Sequence, residues 1–455
     1  MNPVTPLLSS FAAQADYGSL PEALVNETKF LLLDTIGCAI AGGAVDKGAI
    51  AVSLARRLGG AEEATMFGHA GRVSPANAAF ANGELINALD WDPIPHTLPC
   101  VVAPCLALAE SQRASGRDVI LGIALGNEIS ARLAEALPGD LEPQPHGYGS
   151  CVFGAVAGAG RILKLDGPAM AHAFGVAGFA APIPAMTRFE GGMSPIPMTK
   201  YLSLGWLAQT AVTSALLAQL GYTGDTGILD GPQGFWRLFG GTEAKWQPGR
   251  VTEALGTSWR AGKPWYKPYP CEVLIGVALN RLREIMRENA LAPGDIEGVD
   301  FRSIPVLATP CHTTMEIATH VDAQFSVPYV LAAAALGIEP GPAWQAESTM
   351  RDPAIAEFMR KVTVGVHREE EARPGSARQA ASVGHIPCHL EVRAHGRRFT
   401  IERTEAFMTQ SEIVAKFEKN ALTRLPPSQV DRARQTILEL EELEDVSALT
   451  SCLVP

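Results

Sequence analysis

The sequence lacks the features that would assign it to several large classes of protein. No stripe of Lys and Arg appears, and the formal net charge is -11. Neutralising a phosphate backbone needs clustered cations, so a nucleic-acid binder is excluded. No apolar run reaches the length of a membrane span. The opening "MNPVTPLLSSFAAQADYGSLPE" has neither the basic region nor the unbroken apolar stretch of a signal peptide, so a cytoplasmic protein with no membrane partner is expected. Close cysteine pairs are missing too. Cys38, Cys100, Cys105, Cys151, Cys271, Cys311, Cys388 and Cys452 are dispersed, which predicts reduced, buried thiols rather than a disulfide framework. There is no Walker loop and no GxSxG elbow. "GAVAGAG" from Gly154 has glycine spacing, but no strand precedes it and no acidic partner follows.

Aromatics (7%) and charged residues (19%) are scarce, whereas apolar residues make up 47% of the 455-residue chain. That balance suits closely packed helices, and the length allows one to three domains with a core that needs no staples. Helical periodicity runs from the N-terminus to about residue 265. "PEALVNETKFLLLDTIGCAIAG" spaces Leu24, Thr28, Leu31, Leu32 and Ile36 along one helix, with Pro21 in the first turn and Ser19 as a possible cap. Further helices are predicted at "SPANAAFANGELINAL", "VVAPCLALAESQRAS", "RDVILGIALGNEISARLAEAL", "SCVFGAVAGAGRILKL", "GPAMAHAFGVAGFAA" and "KYLSLGWLAQTAVTSALLAQLG". Gly154, Ala155, Ala157, Gly158 and Gly160 would let helix backbones approach closely.

After "KPWYKPYPCE" the texture changes. "IEGVDFRSIPVL", "KVTVGVHRE" and "CHLEVRAHGRRFTIERTE" alternate like strands, the last as a hairpin turning at His395-Gly396. The polar, Gly/Pro-punctuated stretch 368–385 reads as a loop. The tail returns to helix, with Ser428 placed as its cap. The expected fold is therefore mainly α with a smaller α+β domain: a helical domain over 1–266, completed by 405–455, and an α+β lid over 267–404.

The chemistry-bearing residues fall in a few Pro- and Gly-framed stretches. "LDWDPIPHTLPC" (89–100) sets Asp90, Asp92 and His96 among Pro93, Pro95 and Pro99. A metal site would need closer ligand pairs. Proton transfer is better motivated, since imidazole titrates near neutral pH and a neighbouring carboxylate orients it. "PQPHGYGSCVFGA" places His146 and Ser150 at the start of a small-residue helix, whose free N–H groups suit a carboxylate. Lys200 in "SPIPMTKYLSLGWLAQ", followed by Tyr201, and Lys267 in "GKPWYKPYPCE" stand in apolar or proline-boxed surroundings. An ammonium held so can grip a carboxylate or have its pKa depressed.

Taken together, these stretches resemble the MmgE/PrpD family. "LLLDTIGCAIAG", "NGELINALDWD", "HTLPCVVAPCLALAE", "HGYGSCVFGAVAGAGRILKLD", "MTKYLSLGWLAQTAVTSALLAQLGYTGDTGILDGPQGF", "KPYPCE" and "DAQFSVPYVLAAAALG" follow the family's order across nearly the whole chain. The family includes 2-methylcitrate dehydratases, cis-aconitate decarboxylases and an iminodisuccinate epimerase. The resemblance implies a homodimer with no required organic cofactor or metal, acting on a small di- or tricarboxylate between a helical domain and a lid. It places catalytic residues at Asp90 or Asp92, His96, His146, Lys200 and Lys267; Lys200, Lys267, Ser150, Tyr201 and Glu272 are the expected substrate-binding residues.

The chain departs from the family pattern in several places. The interval from the Asp pair to His96 is short, and one position beside "HGYGS" is missing. Glu272 and Ser203 stand where histidines are common, and the decarboxylase tyrosine near the lid is absent, with Cys311 and His312 in that vicinity. The missing tyrosine weighs against decarboxylation, and family frequency favours dehydration. The expected activity is a dehydratase working through an enolate-like species on a 2-methylcitrate-like substrate. An iminodisuccinate-type epimerase, a cis-aconitate-type decarboxylase and an inactive carboxylate-binding protein are the alternatives.

Overall fold

The computed structural model describes residues 3–136, 150–182, 192–200, 204–239, 246–261, 264–368, 388–401 and 408–455. The predicted fold class holds: the chain is mainly helical with a smaller α+β part. The longer helices of the N-terminal region are α1 (Val4–Gln14), α2 (Glu22–Gly42), α3 (Asp46–Leu58), α4 (Pro75–Ile86), α5 (Thr97–Gln112), α6 (Gly116–Ala136), α7 (Cys151–Ile162), α8 (Gly167–Ala180) and α9 (Leu204–Gln219). One core is built from these helices and the C-terminal helices α13 (Gln410–Ala421) and α14 (Pro427–Leu438). A second core lies between α10 (Val273–Glu288), α11 (Val327–Ala335), α12 (Pro353–Met359) and a four-stranded sheet.

A two-residue pairing of β1 (Ala64–Thr65) with β2 (Arg72–Val73) precedes that sheet in the chain. The sheet comprises β3 (Ile296–Ser303), β4 (Val362–Val366), β5 (His389–Ala394) and β6 (Arg397–Ile401) in the order β4-β3-β5-β6. Strands β3 and β4 are parallel, whereas β5 runs antiparallel to both β3 and β6. The β5–β6 hairpin turns at His395 and Gly396, both with positive φ (51° and 68°), as a two-residue type I′ turn requires.

Small residues set the closest helix packing, as their spacing foretold. A Cβ on Gly154 of α7 would lie 2.0 Å from Ser130 Oγ and 2.2 Å from Gly126 O of α6, and one on Gly158 would lie 2.7 Å from Gly122 O. Backbone therefore meets backbone along this pair. Helix α2 is buried along most of its length, which explains a sequence too apolar for a surface helix. Among the described residues no single helix is long and apolar enough to cross a membrane.

Three local expectations need correction. Helix α5 starts at Thr97, earlier than its apolar run suggests, because Pro99 occupies the first turn, where an N–H would have no intrahelical partner. Helix α14 begins after Pro426, so Ser428 lies inside its first turn rather than capping it. Ser19 belongs to a 3-10 turn and donates to Asp16 O (2.6 Å), leaving Pro21 at the N-cap of α2.

Gly154→Ala is expected to destabilise the fold by about 1–3 kcal/mol through overpacking, read from the denaturant midpoint. Gly294→Ala, whose added Cβ meets nothing within 4 Å, is the control, with a change within about 0.5 kcal/mol.

Candidate active site

Helix α4 ends at Ile86 with Asn87 as its C-cap, and the chain then enters the loop that carries Asp90, Asp92 and His96. His96 is the N-cap of α5, so the loop joins the end of one core helix to the start of the next. The loop is buried: Asp90 and Asp92 are 0% exposed and His96 3%. Its last part is fastened to the segment ahead of Lys267 by a reciprocal backbone pair, Ile94 N to Trp265 O (3.0 Å) and Trp265 N to Ile94 O (2.7 Å).

Asp90 is the hub of the cluster. Its Oδ2 and its carbonyl each accept from Lys267 Nζ at 2.8 Å. Its Oδ1 lies 3.3 Å from Lys200 Nζ, which also donates to Asn87 O at 2.9 Å. Both lysines are buried, and each ammonium spends two of its three N–H donors on these partners. Asp90 and Lys200 both adopt left-handed backbone, with φ of 55° and 47°. An aspartate tolerates that conformation, whereas a lysine there stores strain of about 1–3 kcal/mol, held by the surrounding structure.

Electrostatics follow from this geometry. Burial alone would raise the Asp90 pKa, but Lys267, Lys200 and His96 reverse the effect and hold the carboxyl well below the usual range. Burial disfavours the Lys267 ammonium, yet Asp90, Asp92 and Glu272 outweigh it and keep the pKa above the usual lysine value. Lys200 goes the other way: burial, opposed by Asp90 and aided by Lys47, pulls it down to about 8.

Asp92 and His96 form a second pair, with Asp92 Oδ2 2.6 Å from His96 Nδ1. Burial works against the Asp92 carboxylate, but His96 prevails and lowers its pKa. An ionised carboxylate only accepts, so Nδ1 carries the proton and the ring's orientation is set. Asn87 Nδ2 completes the arrangement by donating to Asp92 Oδ1 at 3.0 Å.

Supporting residues come from both cores. Gln324 Nε2 donates to Ala88 O (2.8 Å) and to Gln345 Oε1 (2.7 Å), and Gln345 Nε2 donates to Leu89 O (2.9 Å) and Pro270 O (3.2 Å). Two buried amides of the α+β part thus hold the backbone leading into Asp90. Asp322 pins the Lys200 segment through Ile196 N (2.8 Å). From the C-terminal tail, Lys416 donates to Trp91 O (2.8 Å) and pairs with Asp34 (2.8 Å).

The residues expected from the sequence therefore separate into three groups. Asp90, Asp92, His96, Lys200 and Lys267 come together. Glu272 lies at the N-cap of α10; burial and the Asp90 charge raise its carboxyl, with Lys267 opposing, and it lines a small cavity with Lys267 and Tyr269. Ser150 is the N-cap of α7, with no described hydrogen bond to the Asp90 cluster. His146 and Tyr201 lie outside the described residues. The sequence reading missed Asn87, Gln324 and Gln345. Gln324 sits in the quoted "DAQFSVPY" stretch, where an amide amid apolar residues is the only signal. Among the described residues, no group of three or more His, Cys, Asp or Glu is placed to hold a metal ion.

Residues 7–247 match the MmgE/PrpD N-terminal domain, and residues 269–442 match the MmgE/PrpD C-terminal domain. The chain belongs to the MmgE/PrpD family. Its relatives include the cis-aconitate decarboxylase of Homo sapiens, 27% identical over 96% of this chain and 91% of that protein. The cis-aconitate decarboxylase of Aspergillus terreus is 25% identical over 99% of this chain and 96% of that protein. The two matched segments are separated by residues 248–268, an interval that contains Lys267 and the start of "KPWYKPYPCE".

The lowered Lys200 value has a direct consequence. The ammonium exists below about pH 8 and is lost above it. Affinity for an inert tricarboxylate such as tricarballylate is therefore expected to fall as pH rises through that value. Calorimetric titration across pH 6.5–9.5 checks this, and Lys200→Met should bind more weakly with the pH step gone.

Proposed function

We propose that the chain is a cofactor-independent lyase that acts on a small polycarboxylate through an enolate- or carbanion-like intermediate, with dehydration as its reaction. The observation that carries this reading is the convergence of Lys200 and Lys267 on Asp90 beside the His96–Asp92 pair. Two ammonium groups face one carboxylate, and among the described partners each keeps one donor for an incoming carboxylate. Placed next to a carbon that is losing a proton, such cations stabilise the charge that develops in a water-poor site, where electrostatic stabilisation is largest.

The His96–Asp92 pair supplies proton transfer. Asp92 holds Nδ1–H, so Nε2 is the atom presented for exchange. In a dehydration, one group takes the proton α to a carboxylate while another gives a proton to the departing hydroxyl. The start of α5 at His96 adds a positive helix end, which favours an anion there. The absence of a counterpart to the decarboxylase tyrosine, with Cys311 and His312 in its vicinity, also supports dehydration over decarboxylation.

Decarboxylation is the second reading, favoured by the relatives named cis-aconitate decarboxylase. Loss of carbon dioxide from a carboxylate leaves a comparable carbanion and needs one proton donor instead of a base and an acid. The same lysines would serve either reaction.

Incubation in deuterated water with hydroxylated tricarboxylates and cis-aconitate, followed by NMR, separates these outcomes. A new alkene from the hydroxylated substrates supports dehydration. Deuterated product with release of carbon dioxide from cis-aconitate supports the second reading. Deuterium uptake without a new product points to epimerisation, and inertness across the panel contradicts the lyase reading. His96→Gln is expected to lower kcat by about 100- to 10,000-fold, and full turnover in that variant would remove His96 from the mechanism.

A further inference from the structure

Four described histidines of the chain are buried: His69, His96, His312 and His320. His69 and His320 have their Nε2 atoms enclosed by protein without a hydrogen-bond partner, which marks them as packing groups. His312 differs from both in its surroundings. It lies on the short helix Pro310–Thr313 at 2% exposure, and its hydrogen-bond contacts are made through Nδ1, to Thr309 Oγ1 (2.9 Å) and Cys311 Sγ (3.2 Å). Its Nε2 has no hydrogen-bond partner among the described residues.

The hydroxyl of Thr309 fixes the tautomer. Thr309 Oγ1 lies 2.7 Å from Val306 O, a separation at which two oxygens repel unless a proton sits between them. The single hydroxyl proton is therefore committed to Val306, and Oγ1 can only accept from His312. Nδ1 carries the ring proton, and Nε2 holds the lone pair. The His96 ring is oriented through the same nitrogen, by Asp92.

His312 also lies beside the cluster already described. Its ring packs edge-on against Phe325, with centroids 5.8 Å apart, and Lys200 Nζ faces the Phe325 ring at 6.0 Å. Gly192, on the segment leading to Lys200, packs against Pro310, the first residue of the His312 helix. Burial lowers the His312 pKa to about 4, while Asp90 acts against that shift, so the charge of Asp90 reaches this ring as well as His96.

We propose that His312 is a second proton-transfer residue of this site, its Nε2 taking the proton from the carbon α to a substrate carboxylate while His96 serves the leaving hydroxyl. This assignment rests on the dehydration reading above. The C–H bond breaks as Nε2–H forms, and the released electron pair becomes the new carbon–carbon double bond. The C–O bond breaks with its pair on oxygen, which takes a proton from His96 Nε2 and departs as water. His312 then returns its proton to solvent, and His96 regains one. Two imidazoles in unlike surroundings divide the roles: a ring kept neutral by burial is free to accept, and one backed by a carboxylate is suited to donate. A bound polycarboxylate adds to the negative charge that Asp90 supplies, and so makes Nε2 more basic in the complex than in the free protein.

Two measurements test the assignment. Turnover of hydroxylated tricarboxylates by wild type, His312→Gln and His312→Phe is compared, with kcat expected to fall about 100- to 10,000-fold and KM to change by less than about threefold. On labelled wild-type protein, the nitrogen-15 resonance of His312 Nε2 is followed as tricarballylate is added. It should start as a lone-pair nitrogen and shift toward the protonated form, a readout independent of whether the variants fold. An active wild type with His312→Gln retaining more than about a third of kcat, or an Nε2 resonance unmoved at saturating tricarballylate, overturns the assignment and leaves the lyase reading standing. A wild type inert toward every substrate removes the lyase reading and this assignment with it.

Discussion

One carboxylate shared by two ammonium groups is the constraint on which the rest of the site depends. Asp90 is completely buried, and an uncompensated charge there would cost several kcal/mol. Lys200 and Lys267 provide the compensation from two later stretches of the chain, one at the end of the segment pinned by Asp322 and the other at the entry to the α+β part. Meeting that demand fixes the positions of three stretches at once. It accounts for the left-handed backbone at Asp90 and Lys200, for the two glutamines that hold the peptides before Asp90, and for the closeness of the two hydrophobic cores at this point.

The same constraint shapes the chemistry. A pair of lysines with a single counter-charge is unlike a surface ion pair, where solvent would screen both partners. In the buried site that screening is lost, and the two lysine environments diverge. Lys267, close to Asp90, Asp92 and Glu272, is held firmly charged, while Lys200, with Lys47 in its field, is poised nearer neutrality. His96 and His312 stand around this centre, each with its Nδ1 proton committed to an oxygen.

Much of this was legible in the sequence, for physical reasons that differ by element. The close backbone approach along α7 was readable because its run of small residues leaves room for it, though not which helix it meets, and the β5–β6 hairpin because His-Gly between alternating runs satisfies a specific turn. Asp90, Asp92, His96, Lys200 and Lys267 were readable because charged groups among prolines and apolar residues have no ordinary explanation. Asn87, Gln324 and Gln345 were not, since a neutral amide at a helix end or in a short turn carries no mark of the partner it will meet. The tautomer of His312 was beyond reach as well, because it depends on where one threonine proton points. The start of α5 was misplaced for a simpler reason: a proline in a first turn resembles a proline in a loop.

The claim that the Asp90 charge holds both lysines is tested most directly by a double-mutant cycle on stability, measuring denaturant unfolding of Asp90→Asn, Lys267→Met and the pair. The single Asp90→Asn change should cost about 3–5 kcal/mol by stranding buried ammonium groups. In the pair, part of that loss should return, giving a coupling of about 0.5–3 kcal/mol. Costs that simply add, to within about 0.5 kcal/mol, would show that Asp90 and Lys267 do not depend on one another and would contradict the shared carboxylate as the organiser of the site.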